Sequence, residues 1–287
     1  MDAPFQRKRA SLPEGLHLRA DGTTNALLAA AARGDATAVA ALLDAGVNPN
    51  PPRTRLGSDW GALARAAYHG RRVVVRLLIQ RGEDPNRREN GIPVLSLAAN
   101  RGRLSVVSEL IASGADVHAR STDACFAGWT ALHYAVSPDG SIRGHLRVVR
   151  ALLRGGANVD ARDDIGRTPL MGVCNGDWQV LDALVRAGAD INARDEDDWT
   201  PLMLATNQNH PDNIGALLQH GADINARNRS GQNALAYVQY PQAVLTAQHL
   251  FREGLRMTAA DRDAAITRSD ECHRLLVDAL RRTETQD

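Results

Sequence analysis

The sequence predicts an all-α solenoid of stacked helix-turn-helix units with turn or hairpin fingers, and three observations carry that prediction. A phrase recurs along the chain: Gly114-Ala115-Asp116-Val117, Gly156-Ala157-Asn158-Val159, Gly188-Ala189-Asp190-Ile191 and Gly221-Ala222-Asp223-Ile224, with looser copies at Gly46-Val47-Asn48 and Gly82-Glu83-Asp84. The spacing is regular: the glycines at 46, 82, 114, 156, 188 and 221 lie 36, 32, 42, 32 and 33 residues apart. A period near 33 residues is the mark of a stacked-repeat protein. Between the glycines, two short apolar stripes at helical spacing are separated by a break, so each unit reads as a helix pair.

Residues 1 to about 20 read as a tail or irregular N-terminal cap, and seven units follow at about 21–50, 51–86, 87–119, 120–161, 162–193, 194–226 and 227–257. The first opens on an alanine run, Ala29 to Arg33, and the second on a longer connector, Pro51-Pro52-Arg53-Thr54-Arg55. The fourth carries extra residues before its first helix, in Ser121 to Ala127, and more between its helices, around Asp139-Gly140-Ser141-Ile142-Arg143. The fifth shows the physics most plainly. Asp163-Asp164-Ile165-Gly166 is a turn, since acidic residues bond nearby amides and Gly accepts positive φ. Thr168-Pro169 starts a short helix, Thr as the cap and Pro where no amide partner is lost; it runs to about Cys174. Asn175-Gly176 breaks it. A second helix carries Val180, Leu181, Leu184 and Val185 on one stripe and ends at Gly188 in a left-handed cap. Helices this short do not stand alone, so stability comes from stacking. The seventh unit ends on Gly254-Leu255-Arg256-Met257, and 258–287 reads as a helical C-terminal cap: one helix from Thr258 to about Arg268, a second from Ser269 to about Arg282.

The helix starts carry a resemblance. Thr130-Ala131-Leu132-His133-Tyr134-Ala135, Thr168-Pro169-Leu170-Met171 and Thr200-Pro201-Leu202-Met203-Leu204-Ala205 are similar to the Thr-Pro-Leu-His-x-Ala signature of the ankyrin repeat. Gly61-Ala62-Leu63-Ala64-Arg65-Ala66, Pro93-Val94-Leu95-Ser96-Leu97-Ala98 and Asn233-Ala234-Leu235-Ala236 are degenerate copies. The resemblance covers roughly residues 23 to 257. It implies a stack of helix pairs with a concave groove, and His133 as a structural residue bonding its own loop. It does not by itself name a function, because function is grafted onto folds.

In ankyrin families the residue just before the helix-start motif points into the groove. Here it is Trp60, Ile92, Trp129, Arg167, Trp199 and Gln232, so three of the four tryptophans fall there. Trp and Arg are enriched among binding hot spots. A Trp after the turn also serves as scaffold against the neighbouring finger, so both roles are expected along the row. Further groove candidates sit at the ends of the first helices: Tyr68 with His69, Asn100 with Arg101, Ser137 with Pro138 and Asn207 with Gln208. Tyr134 lies inside a first helix, Phe126 lies in the long fourth finger, and Asp164, Glu196 and Asp197 lie at finger tips. Trp178, at the start of a second helix, reads as packing on the outer side. Units two and three are rich in arginine and the fingers of units five and six in carboxylates, a dipole suited to steering a partner of opposite pattern.

Composition limits the function classes. Formal net charge is +1, which does not suggest a bulk nucleic-acid binder. No apolar run spans a bilayer, and Met1 to Ala20 lacks the apolar stretch of a secretory signal. Cys125, Cys174 and Cys272 are odd in number and far apart, so no disulfide framework is expected and the chain reads as cytoplasmic. Nine histidines are scattered without ligand spacing, and the acidic run Asp195 to Asp198 lacks the calcium-loop pattern, so no metal or cofactor is expected. There is no phosphate loop and no nucleophile elbow. Lys8 is the only lysine; codon bias in a GC-rich bacterial genome explains it, and so does avoidance of ubiquitin attachment. The expectation is a non-catalytic, monomeric module that binds a protein partner in its groove as inhibitor, immunity protein or adaptor. The alternatives are a secreted host-directed effector and an enzyme with a site near the fourth-unit insertion, where Cys125 is the sole nameable nucleophile.

Overall fold

The computed structural model describes residues 20–50, 60–136, 145–173, 177–208 and 210–237. Among these are twelve α-helices in six consecutive pairs: α1 (Ala20–Arg33) with α2 (Ala36–Asp44), α3 (Ala62–Tyr68) with α4 (Arg72–Gln80), α5 (Val94–Asn100) with α6 (Leu104–Ala112), α7 (Ala131–Val136) with α8 (Leu146–Arg154), α9 (Pro169–Gly172) with α10 (Trp178–Arg186), and α11 (Pro201–Asn207) with α12 (Pro211–Gln219). The second helix of every pair has nine residues, whereas the first varies from four to fourteen. A 3-10 turn, Ala234–Tyr237, stands where a seventh pair would begin.

Each residue of the recurring phrase has a job in ending the second helix. The six spaced glycines all have φ between 84° and 96°, a region nearly closed to other residues. That turn lets the next amide reach back five residues: Val47, Glu83, Ala115, Ala157, Ala189 and Ala222 donate to the carbonyls of Leu42, Leu78, Leu110, Leu152, Leu184 and Leu217 at 2.9–3.1 Å. This is the Schellman closure, and it anchors on a core leucine each time. The Asp or Asn one position on then accepts the amide two residues further, as in Asp84 to Asn86 (2.8 Å), Asp116 to His118 (2.8 Å) and Asp223 to Asn225 (3.0 Å). That bond starts the finger.

The described residues fall into two compact units. The first holds those within Met1–Ala135 and Arg150–Ala157, the second those within Val136–Val149 and Asn158–Asp287. In the first unit α1, α3 and α5 pack on one another in sequence, and α2, α4 and α6 do the same. In the second, α9 packs on α11 and α11 on the 3-10 turn, while α10 packs on α12. Leu27, Leu63, Leu95 and Leu132 from first helices and Leu78, Leu110 and Leu152 from second helices are fully buried in the first unit. Leu170, Leu181, Leu184, Leu202 and Met203 play that part in the second. Each such side chain contributes about 1.5–3 kcal/mol of burial.

Neighbouring fingers are also stitched by hydrogen bonds. Asn86 accepts the Asp116 amide (2.7 Å) and donates to the Gly114 carbonyl (3.3 Å); Asn192 repeats this with Asp223 (2.7 Å) and Gly221 (3.4 Å). Thr122, Glu196 and Arg229 donate their amides to the carbonyls of Gly91, Ile165 and Asp197 (3.0–3.1 Å). A hairpin with a strand ladder forms at β1 (Arg88–Glu89) and β2 (Ile92–Pro93), with Glu89 opposite Ile92. Asn90 and Gly91 between them both have positive φ, the geometry of the tight hairpin turn that Asn-Gly favours. Elsewhere the finger closes on one main-chain bond, Asp163 to Arg167, Asp195 to Trp199 or Asn228 to Gln232 (2.9–3.1 Å), and on a side chain. Asp163 accepts from Ile165 and Arg167, Asp195 from Asp197 and Trp199, and Asn228 from Ser230 and Gln232 (2.8–3.1 Å).

Two expectations need correction. Thr168, expected as the cap of α9, makes no side-chain capping bond. The α-helix runs to Gly172 and Val173 continues it as a 3-10 residue, its carbonyl taken by Asn213 Nδ2 (2.9 Å) on α12, while Cys174 lies outside the described residues. Trp178, expected to be packed on the outer side, is left 51% exposed at the first position of α10, while the stripe Val180, Leu181 and Leu184 is buried. The N-terminal tail, the Pro51 connector, the insertion around Asp139–Arg143, Ser137 with Pro138, and the C-terminal cap lie outside the described residues.

Candidate protein-binding surface

In the first unit Trp60 and Ile92 stand before α3 and α5 with their side chains half-buried. The structure brings three of the sequence-predicted residues together at the ends of these helices. The Trp60 indole meets the Tyr68 ring edge-on at 5.1 Å between centroids, and the Arg101 guanidinium lies over the Tyr68 ring at 4.8 Å. Such a guanidinium–ring contact is attractive through the ring quadrupole. Two arginines outside the expected contact set fasten this cluster. Arg65 Nε donates to the Trp60 carbonyl (3.0 Å) and Arg103 Nε to the Tyr68 carbonyl (3.0 Å). Asn100, expected beside Arg101 as a contact, is instead buried, because it sits on the inner side of the last turn of α5.

The long fourth finger builds a second aromatic cluster in the same unit. Phe126 lies 5.0 Å from Trp129 and 5.4 Å from Tyr134, and Trp129 lies 5.2 Å from Tyr134 and 6.0 Å from His133. The extra residues in Ser121–Ala127 place Phe126 here: the Phe126 amide donates to Asp123, the Trp129 amide to Phe126, and Ser121 and Trp129 close the loop at 2.7 Å. Phe126 and Trp129 are half-buried, with one side open. Tyr134 is a correction to the expected contact set. It is 3% exposed and its hydroxyl reaches Ser121 Oγ (3.3 Å), so it supports the two outer rings from below.

His133 acts as the family resemblance implies. It is buried, and its Nδ1 accepts the Thr130 amide (3.2 Å) and lies 3.0 Å from Thr130 Oγ1. An acceptor Nδ1 means the hydroxyl is the donor in that second bond. Cys125, in the same finger, is exposed, with its amide bound to Asp123 Oδ1 at 2.9 Å.

In the second unit Trp199 is half-buried and its indole lies 4.2 Å from the Tyr237 ring. Tyr237 carries no motif signal, since its repeat lacks the full motif; its hydroxyl is bound by Asn228 (2.6 Å) and Gln232 (2.7 Å), which fixes the ring. Arg167 is exposed and reaches Asp195 at 3.4 Å. Asp164, Glu196 and Asp197 are exposed at the finger tips, with Asp197 3.7 Å from Arg229.

Much of the arginine excess is spent inside the protein. Arg88 Nη1 donates to the carbonyls of Gly91 (3.3 Å) and Arg120, and in the second unit Arg162 donates to Gly166 (2.9 Å) and Arg194 (2.5 Å). Arg76 grips the Glu109 carboxylate through two bonds of 2.7 Å and Arg72 adds one of 2.8 Å, clamping α4 to α6. These bonds, Arg76 first, hold the Glu109 carboxyl down to about 2. The steering dipole read from composition is therefore thinner than the residue count suggests. Among the described residues, no helix is long and apolar enough to cross a membrane, and no three His, Cys, Asp or Glu side chains gather as a metal site.

Comparison with known proteins agrees with this architecture. The family model described as ankyrin repeats (3 copies) matches residues 65–163, 95–195, 139–228 and 172–261. The mitochondrial disaggregase of Bos taurus is 38% identical over 146 residues, covering 50% of this chain and 20% of that protein. The Bos taurus ankyrin repeat and SOCS box protein 3 is 33% identical over 146 residues, 39% of this chain and 27% of that one. The chain thus spans about a quarter or less of these relatives' length. The crystal structure of the human ASB11 ankyrin repeat domain superposes with a TM-score of 0.67 at 26% identity, covering 81% of this chain and 99% of that one. With the repeat signature, the helix pairs and the matched span in agreement, the chain belongs to the ankyrin-repeat family.

Proposed function

We propose that this ankyrin-repeat chain is a non-catalytic scaffold that holds a folded protein partner, as an inhibitor, immunity protein or adaptor, in the cytoplasm and as a monomer apart from that partner. Ankyrin repeats imply a protein–protein interaction module; the mode of contact is the proposal. In the first unit Trp60, Ile92, Phe126 and Trp129 meet the partner, with Tyr68 and Arg101 beside them. In the second, Trp199, Arg167 and the finger carboxylates Asp164, Glu196 and Asp197 do so. Seven repeats between a short N-terminal segment and a helical C-terminal cap complete the reading.

The observation that carries it is the state of the three indoles. Each of Trp60, Trp129 and Trp199 is half-buried and braced by a neighbouring ring at 4.2–5.2 Å. A fixed aromatic with one open side loses little entropy on binding, which is the character of a hot-spot anchor.

The test uses the full chain as bait in its native lysate, followed by affinity measurement on the captured protein. Trp129→Ala and Trp199→Ala each weaken that affinity by about 2 kcal/mol or more, while the thermal midpoint stays near wild type. Unchanged affinity with a large drop in midpoint would make the indoles scaffold and remove the reading.

A further inference from the structure

Four arginines converge at the ends of α3 and α5 without a carboxylate among them. Arg65, Arg71 and Arg103 are each pinned through Nε to a main-chain carbonyl, those of Trp60 (3.0 Å), Ala32 (2.8 Å) and Tyr68 (3.0 Å). Arg101 lies over the Tyr68 ring, and its own Nε is buried with no partner. None of the four makes an ion pair among the described residues, in contrast to Arg72, Arg76 and Arg87, which are matched by Glu109 and Glu89. The chain makes room for this crowding. A Cβ on Gly34 would sit 2.8 Å from Arg71 Cδ, and one on Gly70 would sit 2.9 Å from Arg103 Cδ, so the two stems lie across glycines. His69, in their midst, is pushed below the usual histidine range by burial and then by all four guanidinium charges, a sign of how positive this spot is.

A guanidinium offers five N–H donors, and pinning Nε leaves the terminal forks in fixed positions. Planar forks of this kind match carboxylates in pairs of parallel bonds. The Trp60–Tyr68 edge contact supplies an apolar shelf beside them. We propose that Arg65, Arg101 and Arg103, with Trp60 and Tyr68, form a docking site for an acidic segment of the partner protein. Its Asp or Glu carboxylates meet the guanidinium forks and an adjacent apolar side chain lies on the indole. This rests on the protein-binding reading above and names the chemistry of its partner. A nucleic-acid strand is a poorer fit, because it needs a long basic track, and the repeat that holds Trp60 and Arg65 ends on Glu83 and Asp84 within a chain of net charge +1.

The experiment measures fluorescence anisotropy of labelled peptides against the full chain at low salt: repeated Glu-Asp-Leu, its Gln-Asn-Leu counterpart, a phosphoserine peptide and a short single-stranded DNA. The acidic peptide binds about tenfold or more tighter than the amide peptide, and added salt weakens it. Arg65→Gln with Arg101→Gln abolishes that preference, whereas Arg147→Gln, on the exposed side of α8, leaves it intact. Equal binding of acidic and amide peptides to the wild type would overturn the proposal, and this arm does not depend on how any variant folds. So would binding of DNA or phosphopeptide without the carboxylate peptide, or an acidic preference that survives both substitutions in folded protein. A captured partner that is lost on Trp129→Ala but indifferent to Arg65→Gln and Arg101→Gln would leave the scaffold reading in place and remove this one.

Discussion

Thr130 and Thr168 occupy the same place in two successive repeats, and both are buried at the start of a first helix. Thr130 has His133 three residues on, whose Nδ1 takes both its amide and its hydroxyl. Thr168 has Met171 there, and its Oγ1 is left without a partner. Thr200, also followed by methionine, finds another answer: its Oγ1 accepts the Met203 amide at 3.3 Å and caps α11. One motif thus yields three local outcomes. A histidine at its fourth position supplies the buried hydroxyl with a ring-nitrogen partner; with methionine there, the hydroxyl is idle in one repeat and a cap in the next. The repeat with the idle hydroxyl also has the shortest helix, the four-residue α9.

The largest expected effect comes from copying the poorer repeat into the better one. His133→Met removes the acceptor for two buried donors and costs about 2 kcal/mol or more in urea unfolding; a loss below the noise would mean the Thr130 bonds contribute little. Next, Thr130→Val and Thr168→Val divide the two sites. The first loses a bonded hydroxyl and costs about 1 kcal/mol, whereas the second removes an idle one and is neutral or slightly stabilising. Equal costs at both positions would break the comparison. In the opposite direction, Met171→His gives Thr168 an acceptor and raises stability by about 0.5–1 kcal/mol, and pairing it with Thr168→Val cancels the gain.

The smallest effect concerns the polar seam between α4 and α6. Glu109 on α6 takes a position that is Ala216 on α12, and two arginines of α4 close on it. Because the folded carboxyl is held at about 2 and the ordinary value is 4.5, the clamp stabilises fully above about pH 4.5 and is lost as pH falls toward 2. Both guanidiniums are half exposed, so its worth is about 1 kcal/mol or less. Glu109→Gln flattens the acid limb of the stability–pH curve by that amount; an unaltered limb would remove the clamp from the account.

The solenoid was legible because its signals are local. A glycine at positive φ, an amide reaching back five residues and an Asp closing on the amide two ahead all fall within one short stretch of chain. A period near 33 is what such a stretch looks like when copied. The Trp60, Trp129 and Trp199 positions were legible for the same reason, as fixed offsets from the motif. Contacts between repeats were not. Tyr237 beneath Trp199, Arg101 over Tyr68, Asn213 on the Val173 carbonyl and Arg103 across Gly70 join residues 33 to 40 positions apart, and no pattern within one unit encodes them. Burial altered two readings for the same cause. Whether a side chain on a short helix meets a neighbour or solvent depends on the next helix, so Tyr134 went inward and Trp178, expected to be packed on the outer side, was left half exposed.

Sequence alone therefore determined the fold class, the helix pairs, their C-terminal glycine closures and the row of residues before each motif, since each follows from bonds made within a few residues. Tertiary structure alone decided which arginines are spent on carbonyls and carboxylates, which aromatics are half-buried and which lie buried beneath them, and which hydroxyls go without a partner. Those outcomes depend on what the adjacent repeat presents across the stack, and short-range chain geometry carries no record of it.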